Sequence, residues 1–275
     1  MTADPTEALR TQTRADCEAL LAEQPWADFA TRALVLLVRP PAVAWASPLG
    51  TPALWMVLDA SEARALPARQ RDPLVTSGIL RTVAPRDRYE LVVMTSEAIG
   101  RALEGVPRSS LELRWTVRHA EPLHDPLHRA EQLQRAAGRL PSDAVERVVR
   151  PLYVQAANAL HALTRTPIED HNETTLVIAG EAASALARLA CVLADGCHPP
   201  TEYLLQAARE TPLGQRIGSW LDDLPAAASG EARAARWVRE SCTGVLREAE
   251  QALRAEYAGR DWLDDPEAYA LRPSR

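Results

Sequence analysis

The side chains that could do chemistry are acids and histidines gathered at a few points of this 275-residue chain. His124, Asp125 and His128 have the composition of a metal-ligand set. A helical H-x-x-x-H pair needs both rings on one face of the helix, and Pro126 stands between these two histidines. The stronger interpretation is that Asp125 caps a helix whose first position is Pro126.

The densest polar cluster surrounds residue 170. Arg165 precedes it, and the spacing Asp170-x-x-Glu173 resembles a capping box with Asp in the capping place. Acids at that position also favour the helix dipole. A structural role therefore accounts for the cluster, while a ligand-binding role for Arg165 and Asp170 stays open.

Several classes of active site are excluded because the residues they need are absent. All 31 basic residues are arginine, so the chain lacks the lysine of a Walker A loop, a protein kinase or a Schiff-base enzyme. No G-x-S-x-G or G-x-G-x-x-G motif supports a hydrolase elbow or a dinucleotide fold. Four cysteines form no C-x-x-C pair and are expected to be reduced structural thiols: Cys17, Cys191, Cys197 and Cys242.

The composition predicts an ordered cytoplasmic protein. Hydrophobic residues make up 47% of the chain, enough for a core, and the net charge of −6 is unlike the basic surface of a nucleic-acid binder. No run of eighteen apolar residues exists, so we expect no membrane span. The N-terminus lacks the basic start and apolar core of a signal peptide.

The first half reads as a mixture of helix and strand. An amphipathic helix is predicted over 6–23. The stretch 61–88 contains three prolines and is predicted as loop with one short helix. Strands are predicted at 33–38, 53–58, 89–94 and 111–117. In the last of these, Leu111, Leu113, Trp115 and Val117 are expected to face a core, with Glu112, Arg114, Thr116 and Arg118 in solvent.

The second half reads as helical because its apolar residues recur at i, i+3, i+4 and i+7. Pro151 is expected to interrupt the first long helix, and Gly196 to end the second. The segment 225–230 reads as a linker. The predicted helices are 142–163, 170–195 or 173–195, 199–209, 213–224 and 231–258.

The stretch 113–224 carries a resemblance to a known family. Its features are the strand and Asp-Pro passage His119-Ala-Glu-Pro-Leu-His-Asp125-Pro126, the long helix 142–163, the passage from Leu163-Thr-Arg165 to Asp170, the small-residue helix ending near Asp195, and the Pro-led helix Pro199-Pro-Thr-Glu-Tyr-Leu-Leu205. In this order of features it resembles the helical half of bacterial nucleotidyltransferase-like proteins of the aminoglycoside and lincosamide type.

The resemblance implies a catalytic α/β domain upstream. Such enzymes carry Gly-Ser on a tight turn and Asp-x-Asp on the next strand, because divalent cations must bridge the acids and the nucleotide phosphates. Ala46-Ser47 matches the turn, Val57 and Asp59 match the Asp-x-Asp positions, and Glu90 matches a third acid. The chain departs from the pattern at Ala46 and Val57, so Asp59 and Glu90 are left as the catalytic residues and Mg²⁺ ligands.

The expected architecture is therefore α+β. Residues 1–125 form a small mixed β-sheet nucleotidyltransferase-like domain, with residues 30–118 as its catalytic part, and residues 126–275 form an all-α domain. The resemblance implies transfer of a nucleoside monophosphate from a nucleoside triphosphate to a small hydroxylated acceptor. Ser47, Arg165 and Asp170 are the implied nucleotide contacts.

Two alternatives stay open beside this activity. The first is a catalytically inactive binding or regulatory module on the same fold, because one of the paired acids is missing. The second is a scaffold whose Ala-rich helices form an interface between copies of the chain.

Overall fold

A computed structural model describes residues 5–38, 53–83, 90–138, 140, 142–165, 172–229 and 231–266. The chain divides into two compact units, Met1–Arg139 and Leu140–Arg275. The boundary expected from the sequence, between residues 125 and 126, falls one helix before this division.

The first unit is organised around a mixed five-stranded sheet. Its strand order is β3-β4-β2-β1-β5, in which β2 and β4 are parallel and the other neighbouring pairs are antiparallel. The α+β architecture predicted from the sequence is confirmed. The strands are β1 (Leu34–Leu37), β2 (Ala53–Leu58), β3 (Ile79–Val83), β4 (Glu90–Thr95) and β5 (Glu121–His124).

Helices cover both faces of this sheet. All four residues of β1 are buried, since Val35 and Leu37 pack on one side while Leu34 and Leu36 pack on the other. This two-sided burial explains why the strand reads as an unbroken apolar run. One face is covered by α1 (Pro5–Ala22), α2 (Ala60–Ala65) and α3 (Ala68–Ser77), and the other by α4 (Ser96–Glu104), α5 (Arg108–His119) and α6 (Ala130–Ala137).

The predicted strand 111–117 is wrong, because these residues belong to α5. A short stretch that alternates apolar and polar residues can also place an apolar stripe on a helix. Here Leu111, Arg114 and Trp115 share the buried face at i, i+3 and i+4. Arg114, which was expected in solvent, is only 1% exposed.

Arg114 is buried because its guanidinium binds the C-terminal end of α6. Its Nη1 atom donates hydrogen bonds to the carbonyl oxygens of Ala136 at 3.3 Å and Ala137 at 3.2 Å. The last carbonyls of a helix have no partner within the helix, and a cation there also complements the helix dipole. The guanidinium therefore joins α5 to α6.

Other predicted boundaries also change. The stretch 61–88, expected to be loop with one short helix, contains α2, α3 and β3. Helix α6 begins at Ala130 rather than at Pro126. In the second unit, the predicted linker is wrong, because Pro225 to Ala228 complete a helix. The predicted helix 213–224 is divided into two helices at Ile217. The predicted helix 231–258 is divided into two helices at Ser241.

Every element described in the second unit is a helix. Two long helices, α7 (Ser142–Arg165) and α8 (Asn172–Asp195), pack along each other. Helix α8 ends at Gly196, whose φ of 68° is the left-handed conformation that glycine adopts readily, so this prediction is confirmed. The remaining helices are α9 (Thr201–Arg209), α10 (Pro212–Arg216), α11 (Gly218–Ala228), α12 (Ala232–Glu240), α13 (Cys242–Tyr257) and α14 (Asp261–Asp264).

Among the described helices, one is long and apolar enough to cross a membrane. It is the Glu173–Asp195 part of α8, and 56% of its apolar window is buried within the protein. Its buried face is formed by residues such as Ala182, Leu186 and Leu189. This burial places α8 in the core of the second unit.

Replacing Arg114 should destabilise the first unit. We expect Arg114→Ala to lower the free energy of unfolding by about 2–4 kcal/mol, because the C-terminal end of α6 loses charge-assisted hydrogen bonds in a buried place. The exposed Arg118 on the same helix is the matched control, and Arg118→Ala should change stability by less than about 0.5 kcal/mol. Urea denaturation of both variants tests this, and equal effects would contradict the role assigned to Arg114.

The four cysteines are buried and form no disulfide bond, and they should be unreactive in the folded protein. Burial raises the pKa of Cys17 and of Cys242 to about 11, and that of Cys191 to about 12, from an ordinary 9.0. The unfolded chain therefore loses thiol protons at lower pH, so these thiols should reduce stability as pH rises from about 9 towards 11. Ellman's reagent at pH 8 should label the native protein far more slowly than the denatured protein.

Candidate functional site

The candidate site lies where β2 and β4 end. These strands are parallel and in register, with Leu58 opposite Thr95, so the residues that follow them emerge side by side. Asp59 is the N-cap of α2, while Thr95 is the N-cap of α4 and its hydroxyl accepts a hydrogen bond from Ala98 N–H. The carboxyl ends of parallel strands are where α/β proteins commonly bind ligands. The side chains gathered at these two strand ends are named the strand-end cluster. Its members are Arg32, Asp59, Glu62, Ser96, Glu97, Asp125 and Arg129.

Two carboxylates converge on one hydroxyl within this cluster. Ser96 Oγ donates a hydrogen bond to Asp59 Oδ1 at 2.8 Å and lies 3.4 Å from Glu97 Oε2. Glu97 Oε1 also accepts a hydrogen bond from the backbone N–H of Ala60 at 3.3 Å. Oxygen atoms from β2's end and from the first turn of α4 are thereby gathered around one point.

Arg129 supplies a cation to the same point. Its Nη1 atom lies 3.0 Å from Asp59 Oδ1, and its Nη2 atom donates to the carbonyl oxygen of Arg32. Asp125 holds the backbone in place, since its Oδ1 accepts from Arg129 N–H at 2.8 Å and its Oδ2 from Ala130 N–H at 2.9 Å. The predicted cap at Asp125 of a helix beginning at Pro126 is wrong, because α6 begins at Ala130 with Arg129 as its N-cap, and Asp125 instead binds the backbone N–H groups of these two residues.

Glu62 lies in the first turn of α2 and fixes the start of this helix. It is 6% exposed, and its Oε2 atom accepts a hydrogen bond from Asp59 N–H at 2.8 Å. This is the returning bond of a capping box. Its Oε1 atom lies 3.2 Å from Arg32 Nε, so the buried carboxylate has a charged partner. Glu62 therefore positions Asp59 rather than facing a ligand.

The strand-end cluster carries more negative than positive charge. It contains the four carboxylates of Asp59, Glu62, Glu97 and Asp125 against the two guanidinium groups of Arg32 and Arg129. Asp59 and Glu97 face solvent more than Glu62 does. Because both oxygens of Asp125 accept bonds from backbone N–H groups, the carboxylates of Asp59 and Glu97 are the ones that a dissolved cation could reach.

The predicted pair Asp59 and Glu90 is not brought together. Glu90 begins β4 opposite Ala53, whereas Asp59 follows the last residue pair of the same two strands. At about 3.3 Å per residue, roughly 20 Å of sheet separates them. One metal ion cannot be shared across that distance.

The described residues place no other candidate ligand side chain at the strand-end cluster. Ser47 and Asp170 lie outside the described residues. Arg165 is the exposed last residue of α7, in the second unit. His128 is exposed and has a left-handed φ of 53°, while His124 Nε2 is hydrogen-bonded to the carbonyl oxygen of Ala30. Within the described parts of the chain, no group of three or more His, Cys, Asp or Glu side chains is placed to hold a metal ion.

Sequence reasoning missed Ser96, Glu97 and Arg129. The run Thr95-Ser96-Glu97 directly after a buried strand has the form of a helix start, with a capping residue and then an acid. That signal could have located the strand end. No local pattern marks Arg129, which meets Asp59 from 70 positions along the chain.

No protein-family model matches this chain, and no curated protein matches it. Among solved structures, a nucleotidyltransferase-like protein from Exiguobacterium sibiricum 255-15 is similar, with a TM-score of 0.45 and 12% sequence identity. The match covers 89% of this chain and 81% of that one. At this level of similarity, neither the site nor the activity of that protein transfers to this chain.

The ion pair of Asp59 with Arg129 should be measurable by a double-mutant cycle. The two side chains are 49% and 23% exposed, so we expect a coupling energy of about 0.5–1 kcal/mol from the Ala variants, falling in high salt. The more exposed pair Glu131 and Arg135, 3.8 Å apart, is the control and should couple less strongly. Equal coupling in the two cycles would show that Arg129 contributes no more than a surface contact.

Proposed function

We propose that the protein binds a nucleoside triphosphate together with Mg²⁺ at the strand-end cluster. The observation that carries this proposal is the convergence of Asp59 and Glu97 on the hydroxyl of Ser96. The carboxylates that follow the neighbouring strands β2 and β4 thereby lie together at the end of the parallel pair, where ligands commonly bind.

The donor atoms fit Mg²⁺. Carboxylate and hydroxyl oxygens are hard ligands, and Mg²⁺ is usually held by only one or two carboxylates together with water and substrate phosphates. Asp59 and Glu97 would hold the ion. When bound, it would neutralise charge on the phosphate oxygens. This assignment replaces Glu90 by Glu97 as the partner of Asp59, because Glu90 lies at the opposite end of β4.

Arg129 is the proposed phosphate contact on the protein side. Guanidinium groups match the geometry of phosphate oxygens, and Arg129 already lies at the cluster through its contact with Asp59. Its backbone is held by Asp125, so the side chain can exchange partners without movement of the helix. The first turn of α4 adds backbone N–H groups that favour an anion.

The proposed reaction is transfer of a nucleoside monophosphate to a small hydroxylated acceptor. It rests on the sequence resemblance to nucleotidyltransferase-like proteins together with the two carboxylates. Ser47, Arg165 and Asp170 stay proposed nucleotide contacts, and we propose a cytoplasmic location.

One observation favours an inactive binding module as the second candidate. The guanidinium of Arg129 lies 3.0 Å from Asp59 Oδ1, so a cation already occupies a position beside the carboxylate. A nucleotide bound through Arg129 alone would need no metal ion and would undergo no transfer.

Thermal unfolding with ATP, GTP, CTP or UTP, with and without Mg²⁺, tests the proposal. At a hundredfold excess over Kd, a ligand that binds only the folded state stabilises it by about 2.7 kcal/mol. We expect a Mg²⁺-dependent rise in Tm that is lost in Asp59→Asn and in Glu97→Gln. Glu90→Gln is the matched control, since it removes a charge from the far end of the same strands, and it should retain the full shift.

The same measurements separate the candidates. A shift that needs no Mg²⁺, survives Glu97→Gln and disappears in Arg129→Met would support the inactive module. Release of pyrophosphate with an added aminoglycoside or other hydroxylated acceptor would support transfer. If no nucleotide raises Tm, both candidates fail, and a scaffold that buries more than about 1,200 Å² between copies becomes the hypothesis to test.

A further inference from the structure

An apolar pocket lies within the second unit, between α8, α9, α11 and α12. Its volume is about 310 Å³, at the lower end of the range of small-molecule sites. The base is formed by side chains that are almost fully buried, including Ala183, Leu204 and Val238. The mouth is formed by Leu176 and Leu205, which are 46% and 39% exposed. The pocket therefore reaches from solvent into the core of the helical unit.

The residues that line the pocket disfavour the binding of a charged ligand. None of the thirteen described residues that line the pocket carries a charge, and the side-chain polar groups are the hydroxyls of Thr175, Ser184 and Thr201. A charged group entering the pocket would lose its hydration without gaining an ion-pair partner. The three hydroxyls can orient one polar substituent, so the matching ligand is neutral and mostly apolar.

The volume sets the size of the ligand. A buried apolar cavity of about 150 Å³ accommodates benzene, so this pocket has room for about two such rings. Gly180 lines the pocket, and a Cβ atom built there meets no atom within 4 Å. The space in front of Gly180 is therefore open, and a side chain at this position can enter it.

The pocket is too small to serve as a protein interface by itself. Thirteen of the described residues line it, whereas a standard interface engages about 20–30 residues on each side. Its walls also come from four different helices rather than from one flat face. These features favour a small molecule over a partner chain.

We propose that this pocket binds a neutral, largely apolar small molecule of about the size of a two-ring aromatic compound. All the described residues that line the pocket belong to the second unit, and none of Asp59, Glu97 and Arg129 is among them. The proposal is therefore independent of the strand-end cluster and of the reaction proposed for it.

Isothermal titration of the full-length protein with 2-naphthol tests the proposal, with naphthalene-2-sulfonate as the charged analogue. We expect one 2-naphthol per chain and at least tenfold weaker binding of the sulfonate. Gly180→Leu places a side chain in the open space and should weaken 2-naphthol binding at least tenfold. This variant should fold, because leucine has a higher helix propensity than glycine.

Gly244→Leu is the matched control. It makes the same change in α13, at a position that also has no atom within 4 Å but lies outside the pocket, so binding should change less than twofold. Several molecules bound per chain, or equal binding by Gly180→Leu and the wild type, would overturn the proposal. A stable dimer whose formation competes with 2-naphthol would overturn it too, because the pocket would then be covered by a second copy.

Discussion

The parallel pairing of β2 with β4 is the constraint on which the first unit depends. Because Leu58 and Thr95 are in register, both strands end at one edge and the helices that follow them begin together. The hydrogen bond from Ser96 to Asp59 and the approach of Glu97 to Ala60 N–H follow directly from this register. A shift of one residue would also turn each side chain to the other face of the sheet.

The position of Arg129 depends on helix α6. Its beginning is held by the carboxylate of Asp125, and its end by the guanidinium of Arg114. Both sets of backbone groups would otherwise lack partners within the helix. Because the helix is held at both ends, the residue before it, Arg129, reaches Asp59 in a defined position. A buried arginine on α5 thus supports the site through its hydrogen bonds to the far end of α6.

The second unit is held together mainly by apolar contact between helices. Small residues on α7 and α8, among them Ala156 and Ala182, are fully buried and allow the helices to pack along each other. The breaks at Ile217 and Ser241 divide the later helices into shorter pieces. Three of the shorter helices, α9, α11 and α12, leave the apolar pocket between them and α8. Because none of the described residues that line this pocket is charged, the pocket suits a neutral apolar ligand and not a nucleotide.

Local patterns determined a large part of this architecture. The apolar runs of β1, β2 and β4, the periodicity of α7 and α8, and the glycine that ends α8 were all readable along the chain, because each depends on neighbouring residues. The stretch 111–117 was misread because alternation over seven residues fits both a strand and a helix, and only burial against α6 decides between them. The site depended on contacts that no local pattern contains. Asp59 meets Ser96 across 37 positions and Arg129 across 70. The sequence predicted the pair Asp59 and Glu90, while the direction and register of β4 decided that Glu97, and not Glu90, lies near Asp59.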